Sequence, residues 1–207
     1  MFPVDPLTLL AFLPAGLALN MTPGADMVFC VGQGLRQGPR AAWAASAGIS
    51  TGALVHGAIA GLGLGAAIGA HPVVFDVIRW VGVAYLLWLA AASLRANPPD
   101  QTGRAGTAHA FRDGLMVNLT NPKVILFVLA FVPQFVDPTR GPVLAQFLIF
   151  ATILGLGGLV INGIVGASAA GVGRRVVKSA NVSRWLGRVC AAIFATLALR
   201  LAVLERA

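Results

Sequence analysis

Two short segments place proline beside polar and charged residues within otherwise apolar stretches. Asn20-Met21-Thr22-Pro23-Gly24 leads into Asp26, and Asn118-Leu119-Thr120-Asn121-Pro122 leads into Lys123. Proline in a helix removes an i→i−4 hydrogen bond, and glycine loosens the backbone further. In an apolar medium each unsatisfied polar group costs several kcal/mol, so the freed carbonyls must line a cavity or be covered by protein. Carbonyls, carboxamides, one carboxylate and one ammonium together suit the holding of a small polar or zwitterionic solute. The bland alternative is a pair of kinks that only help packing. His56 and Asn162 are a second polar pair in apolar surroundings. Histidine titrates near neutral pH and suits a gate or proton relay; the alternative is a hydrogen-bonded packing residue. Bond-breaking chemistry lacks its usual parts. There is no His-Glu-x-x-His, no Gly-x-Ser-x-Gly and no paired carboxylate in an apolar run, so neither an enzyme nor a cofactor is expected.

The elements that must position these residues are membrane helices. Of 207 residues, 57% are hydrophobic and 11% charged, with mean hydropathy +0.83. A soluble domain is roughly 45–50% apolar and about 25% charged, so a single water-soluble globule is excluded. A helical crossing takes about 20 mainly apolar residues. Six candidates lie at 6–25, 41–75, 80–94, 114–136, 141–173 and 189–199; Lys123 alone interrupts the fourth. The sixth is short and spans only if Arg188 and Arg200 snorkel to the interfaces. The runs are continuous rather than alternating, which argues against a β-barrel. Residues 1–6 carry no Lys or Arg, so a retained first helix is expected rather than a cleaved leader. The expected fold is an all-α polytopic membrane protein.

Net charge is +8, and 13 of the 15 basic residues are Arg. With six crossings, ten loop cations, among them Arg36, Arg40 and Arg112, fall on one side. Four fall on the other, Arg79 and Arg140 among them. The positive-inside rule makes the richer side cytoplasmic and puts both termini outside, in the periplasm of a bacterial inner membrane. The basic residues are then topology and lipid-headgroup determinants, and no nucleic-acid partner is expected. Cys30 and Cys190 lack metal-ligand spacing and read as packing residues. No metal site is expected, and a homo-oligomer is compatible with the chain.

The two proline segments also belong to an internal repeat. His56 sits in Gly52-Ala53-Leu54-Val55-His56-Gly57, and Asn162 in Gly158-Leu159-Val160-Ile161-Asn162-Gly163. Arg79-Trp80-Val81-Gly82 has its counterpart in Arg184-Trp185-Leu186-Gly187. Three matches in order predict a three-helix repeat at 1–95, a Pro- and Gly-bearing cytoplasmic linker at 96–110 and a second repeat at 111–207. Three crossings per half is an odd number, so the halves are inverted about an axis in the membrane plane. Such repeats set a shared site near mid-membrane, where paired broken helices, here the first and fourth, are the best pointer to it.

The candidate site is therefore Asn20, Thr22, Pro23, Gly24, Asp26, Asn118, Asn121, Pro122 and Lys123, with Asp26, His56 and Asn162 as proton-coupling or gating candidates. A charge at a helix centre costs about 2.5–3.5 kcal/mol on insertion scales and usually faces a partner or water. An Asp26–Lys123 ion pair is one expectation; two charges flanking a zwitterion is the other. A third reading leaves Asp26 solvated at the end of its span. Ser46, Ser50, Thr51 and Thr152 are expected to bond back to their own helices. Glycines 57, 61, 65 and 69 give the second span a smooth packing face.

Over almost its whole length from Leu7 the chain resembles the LysE/RhtB family of amino-acid exporters, especially its threonine/homoserine-type branch. The resemblance is carried by Thr22-Pro23-Gly24-Ala25-Asp26-Met27, Gln37-Gly38, Arg40-Ala41, Gly48, Gly52 and His56. It continues through Phe111, Gly114, Asn118, Asn121-Pro122-Lys123, Phe127 and Pro133-Gln134-Phe135. The family pattern has Pro-Asn where this chain has Ala25-Asp26. The resemblance implies proton-driven export of amino acids or their derivatives from a bacterial cytoplasm, by alternating access. Exporting another small solute, such as a metal cation, and a membrane protein without transport activity are the rivals.

Overall fold

The computed structural model describes residues 3–70, 80–81, 83–88, 90–91, 94, 109–169 and 179–203. Most of the expected linker, residues 96–108, lies outside them, as do Arg79 and Gly82 of the repeat and residues 71–75 of the second run. All regular structure among the described residues is helical.

Helix α1 (Pro6–Met21) starts where Asp5 caps it, accepting from Leu7 N at 2.8 Å, with Pro6 in the first turn. It ends because the residue before a proline is driven out of the helical region: Thr22 is extended at φ −69°, ψ 119°. Helix α2 (Ala25–Gln37) then leaves at 52° to α1. The same physics repeats later. Helix α4 (Ala110–Leu119) stops at Thr120, and Asn121, ahead of Pro122, is extended at φ −77°, ψ 107°. Its side chain accepts from Lys123 N at 3.0 Å and so caps α5 (Pro122–Leu126). The chain continues through a π turn (Phe127–Phe131) and a 3-10 turn (Val132–Phe135), and the two halves of this pair meet at 51°. Both proline breaks are thus real bends between helices.

Helices α3 (Pro39–Ala70) and α6 (Val143–Ala169) are each long and apolar enough to cross a membrane, as is each bent pair taken together. Helix α7 (Ala180–Val203) holds a shorter apolar stretch, Gly187–Leu199. The first crossing differs from expectation. The charge-free run ended at Ala25, yet helix continues to Gln37, so Asp26 lies in the first turn of α2 and is buried at 8% exposure. It is not a solvated span end.

Glycine sets how closely the helices approach. A Cβ on Gly57 would lie 2.3 Å from the Ala151 methyl, and one on Gly61 3.0 Å from Leu144 Cα, which makes this the packing face expected of α3 against α6. Thr51 and Thr152 bond back to Ala47 and Leu148 as expected. Ser46 and Ser50 do not. Ser46 Oγ donates to Leu159 O at 2.9 Å and Ser50 Oγ to Gly155 O at 2.8 Å, because glycines on α6 bring its backbone within reach of α3. Cys30 and Cys190 are free and buried. Phe12, Phe127, Phe131 and Phe150 fill the core between α1, the π turn and α6; Phe12 and Phe150 lie 4.7 Å apart.

The turn ahead of α6 is tied down by polar groups. Gln146, 1% exposed, accepts from Asp137 N at 2.9 Å and donates to Asp137 O at 2.7 Å. Arg140 bridges to Asp5 at 3.1 Å and Asp137 at 3.6 Å. The Thr139 hydroxyl and then its N–H hold the Asp137 carboxyl below the usual carboxylate range, and Arg140 adds to this. A depressed folded pKa gives stability that is fully present above the unfolded value, about 3.9, and is lost as pH falls through the depressed one. An NMR titration following the Thr139 amide is expected to show a midpoint below about 3.9; a midpoint at or above it contradicts the turn.

Candidate functional site

The two breaks meet around a small cavity lined by Leu19, Asn20, Thr22, Asp26, Met27, Lys123, Val124 and Asn162. Each charge sits at a helix end that favours it. A helix C-terminus carries partial negative charge and an N-terminus partial positive charge. Lys123 Nζ donates to Leu19 O at 2.8 Å and Thr22 O at 2.9 Å, at the C-terminal end of α1. Asp26 occupies the first turn of α2, whose cap, Gly24, offers no side-chain bond. Gly24 also makes room for the lysine, since a Cβ there would lie 3.3 Å from Nζ.

The expected direct pair is not formed: no Asp26–Lys123 bridge exists within 4.0 Å among the described residues. The reason is that each charge has another partner. Lys123 takes the α1 carbonyls, and Asp26 Oδ2 accepts from Asn118 Nδ2 at 2.9 Å. Both face the same cavity. His56 Nε2 donates to Asn118 O at 3.2 Å, so the histidine touches the broken helix rather than Asn162. Asn162 is 3% exposed and lies on the cavity wall. Asn20 Nδ2 donates to Leu154 O at 3.1 Å, and Thr22 Oγ1 donates to Ala18 O at 2.6 Å. Asn121 caps Lys123 and does not line the cavity.

Several buried polar atoms here have no partner: Asp26 Oδ1, Asn118 Oδ1, Asn162 Oδ1 and Asn121 Nδ2. Buried polar groups are nearly always hydrogen-bonded, so a cluster of exceptions needs a reason. Three of the four are acceptors, and two of those three, on Asp26 and Asn162, belong to cavity-lining residues. The site is short of donors.

A model of the LysE type translocator family matches residues 17–205. The chain belongs to this family. It is 34% identical over 172 residues to the homoserine/homoserine lactone efflux protein of Salmonella typhi, covering 80% of each chain. It is 30% identical over 190 residues to the leucine efflux protein of Enterobacter sp., covering 89% of this chain and 90% of the relative. A Vibrio cholerae protein described as an uncharacterized membrane protein is 33% identical over 193 residues, at 89% and 91% coverage. No solved structure matches the chain.

In this LysE-type chain, sequence reasoning missed two contributors to the site. The Leu19 carbonyl holds Lys123, and backbone groups carry no residue-type signal. Tyr85 is the other: its hydroxyl donates to Lys123 O at 2.5 Å from a buried position. That signal was present, because Tyr85 is the single tyrosine, set in an apolar run, and a buried tyrosine hydroxyl seeks a partner.

Proposed function

We propose that this chain is a secondary transporter that exports amino acids or amino-acid derivatives across the bacterial inner membrane, binding them between the two broken helices. The observation that carries this reading is the cavity at the paired breaks, with unpartnered acceptors on Asp26 and Asn162. The efflux relatives are named for homoserine, its lactone and leucine. All three carry an α-ammonium, whereas the lactone has no free carboxylate. A site short of donors is complementary to that shared ammonium, which brings three N–H groups and a positive charge. Asp26 Oδ1 supplies the counter-charge and Asn162 Oδ1 a second acceptor.

In this reading each bent pair is one crossing, and with α3, the helical residues of 80–94, α6 and α7 the chain crosses six times as two inverted repeats. Loops rich in Lys and Arg face the cytoplasm and both termini the periplasm. Asp26 exchanges a proton for substrate, and the inverted halves give alternating access around a fixed site. His56, through the Asn118 carbonyl, ties α3 to the broken helix that moves.

Counter-flow in proteoliposomes over a panel of amino acids and their esters or lactones, with and without a proton gradient, tests the reading. Saturable uptake of one or more panel members, accelerated by the gradient, is the expected result. Absence of counter-flow for every member overturns it.

A further inference from the structure

The two carbonyls that hold Lys123 are the ones a substrate ammonium would find. Leu19 O and Thr22 O lie at the C-terminal end of α1, where helix carbonyls lack intrahelical partners. The α1 end otherwise satisfies itself: Ala18 O accepts from Thr22 N at 2.9 Å and from Thr22 Oγ1 at 2.6 Å. Leu19 O and Thr22 O are met from the other half of the chain. The group that meets them is a primary ammonium, the same three-donor cation an amino acid carries. Two of its three donors are used here. It reaches them across Gly24, whose missing side chain leaves the lysine its bed. Asp26, which would neutralise Lys123 in a direct pair, instead bonds Asn118, and its buried Oδ1 has no partner among the described residues.

We infer that Lys123 is a tethered stand-in for the substrate ammonium: its Nζ fills the Leu19 and Thr22 carbonyls when the site is empty and is displaced when substrate binds. This rests on the transport reading above and adds to it a rule for the empty carrier. Without the lysine, reorientation of an empty site would carry the unpartnered Leu19 and Thr22 carbonyls through the bilayer, where each such group is penalised by several kcal/mol. With it, Leu19 O and Thr22 O keep an ammonium partner in the empty form as in the loaded one. Net efflux needs the empty carrier to return, whereas substrate exchange does not.

The test compares Lys123→Ala with the parent in proteoliposomes, measuring net efflux and homo-exchange of the same labelled amino acid. The ratio of net efflux to exchange is expected to fall roughly tenfold or more, the equivalent of one lost charge-assisted hydrogen bond. Millimolar methylammonium, a free ammonium small enough for the vacated place, is expected to restore part of the ratio. The half-saturating concentration for exchange should fall, since a competitor has been removed. Net efflux and exchange falling together with a raised half-saturation overturns the proposal, because Lys123 then acts as a substrate ligand; both unchanged also overturns it. Should Lys123→Ala fail to fold, Lys123→Met decides. It keeps the length of the side chain without its ammonium, and the same fall in the ratio supports the proposal while an unchanged ratio refutes it. If the parent shows neither flux for any amino acid, the transport reading itself fails, a result distinct from these.

Discussion

Asp26→Asn is expected to abolish net amino-acid efflux, a fall of roughly two orders of magnitude or more, in protein that still folds and inserts. Asparagine has the size of aspartate, and its side-chain oxygen can accept from Asn118 Nδ2 as Asp26 Oδ2 does at 2.9 Å. The shape of the cavity is thereby kept and only the charge is removed. Among the described residues that charge is the single carboxylate on the cavity wall. With bound substrate it forms a buried charged pair with the ammonium; taking away one member of such a pair costs about 3–5 kcal/mol, and each 1.4 kcal/mol is a factor of ten in an equilibrium constant. The proton-exchanging group disappears with the same substitution, so a proton gradient should no longer accelerate any residual flux. Efflux from preloaded proteoliposomes, normalised to protein per vesicle, is the measurement. Flux within threefold of the parent would show that the carboxylate is not needed.

Both bends were legible in the sequence because their cause is local: a proline fixes its own dihedral and expels the residue before it from the helix, whatever surrounds them. The alternative reading that left Asp26 solvated at the end of its span fails for a related reason. Counting charge-free runs treats every charge as a terminator, and only the fold reveals that Asn118, 92 residues away in sequence, meets this one. The separation of Asp26 from Lys123 was equally hidden, since it depends on the Leu19 and Thr22 carbonyls outbidding a carboxylate for the ammonium. Ser46 and Ser50 show the same limit. A helical serine reads identically whether it bonds back to its own helix or across to another; for Ser50 the difference is made by Gly155 on α6, where a Cβ would lie 2.9 Å from Ser50 Oγ. What the sequence conveys well is where a backbone must break. What it conveys poorly is which partner a polar group takes when two are within reach.

Close backbone contact between two helices leads to the second large effect. Helices α3 and α4 touch backbone to backbone through reciprocal glycines: a Cβ on Gly48 would lie 1.9 Å from Phe111 O, and one on Gly114 would lie 2.3 Å from Ala45 O. Neither obstacle is the end of a flexible side chain, so an added methyl has to push the helices apart. Overpacking of this kind costs about 1–3 kcal/mol, and in a chain of this size each kcal/mol shifts Tm by about 2–4 °C. Gly48→Ala is therefore expected to lower Tm in detergent by roughly 4–8 °C, the middle of the range those values allow. Gly32→Ala on α2 is the control. Nothing lies within 4 Å of its Cβ position, and alanine in a helix interior is favoured over glycine by about 0.5–1 kcal/mol. Equal melting of the two variants would contradict the glycine contact. The consequence extends to transport, because Asn118 lies one turn beyond Gly114 on α4 and touches α3 at Gly52, whose Cβ would come 2.5 Å from Asn118 Oδ1. Parting these helices lifts Asn118 away from Asp26 and from His56 together. A packing substitution well removed from the cavity should therefore weaken substrate binding as well as stability, and Gly32→Ala should weaken neither.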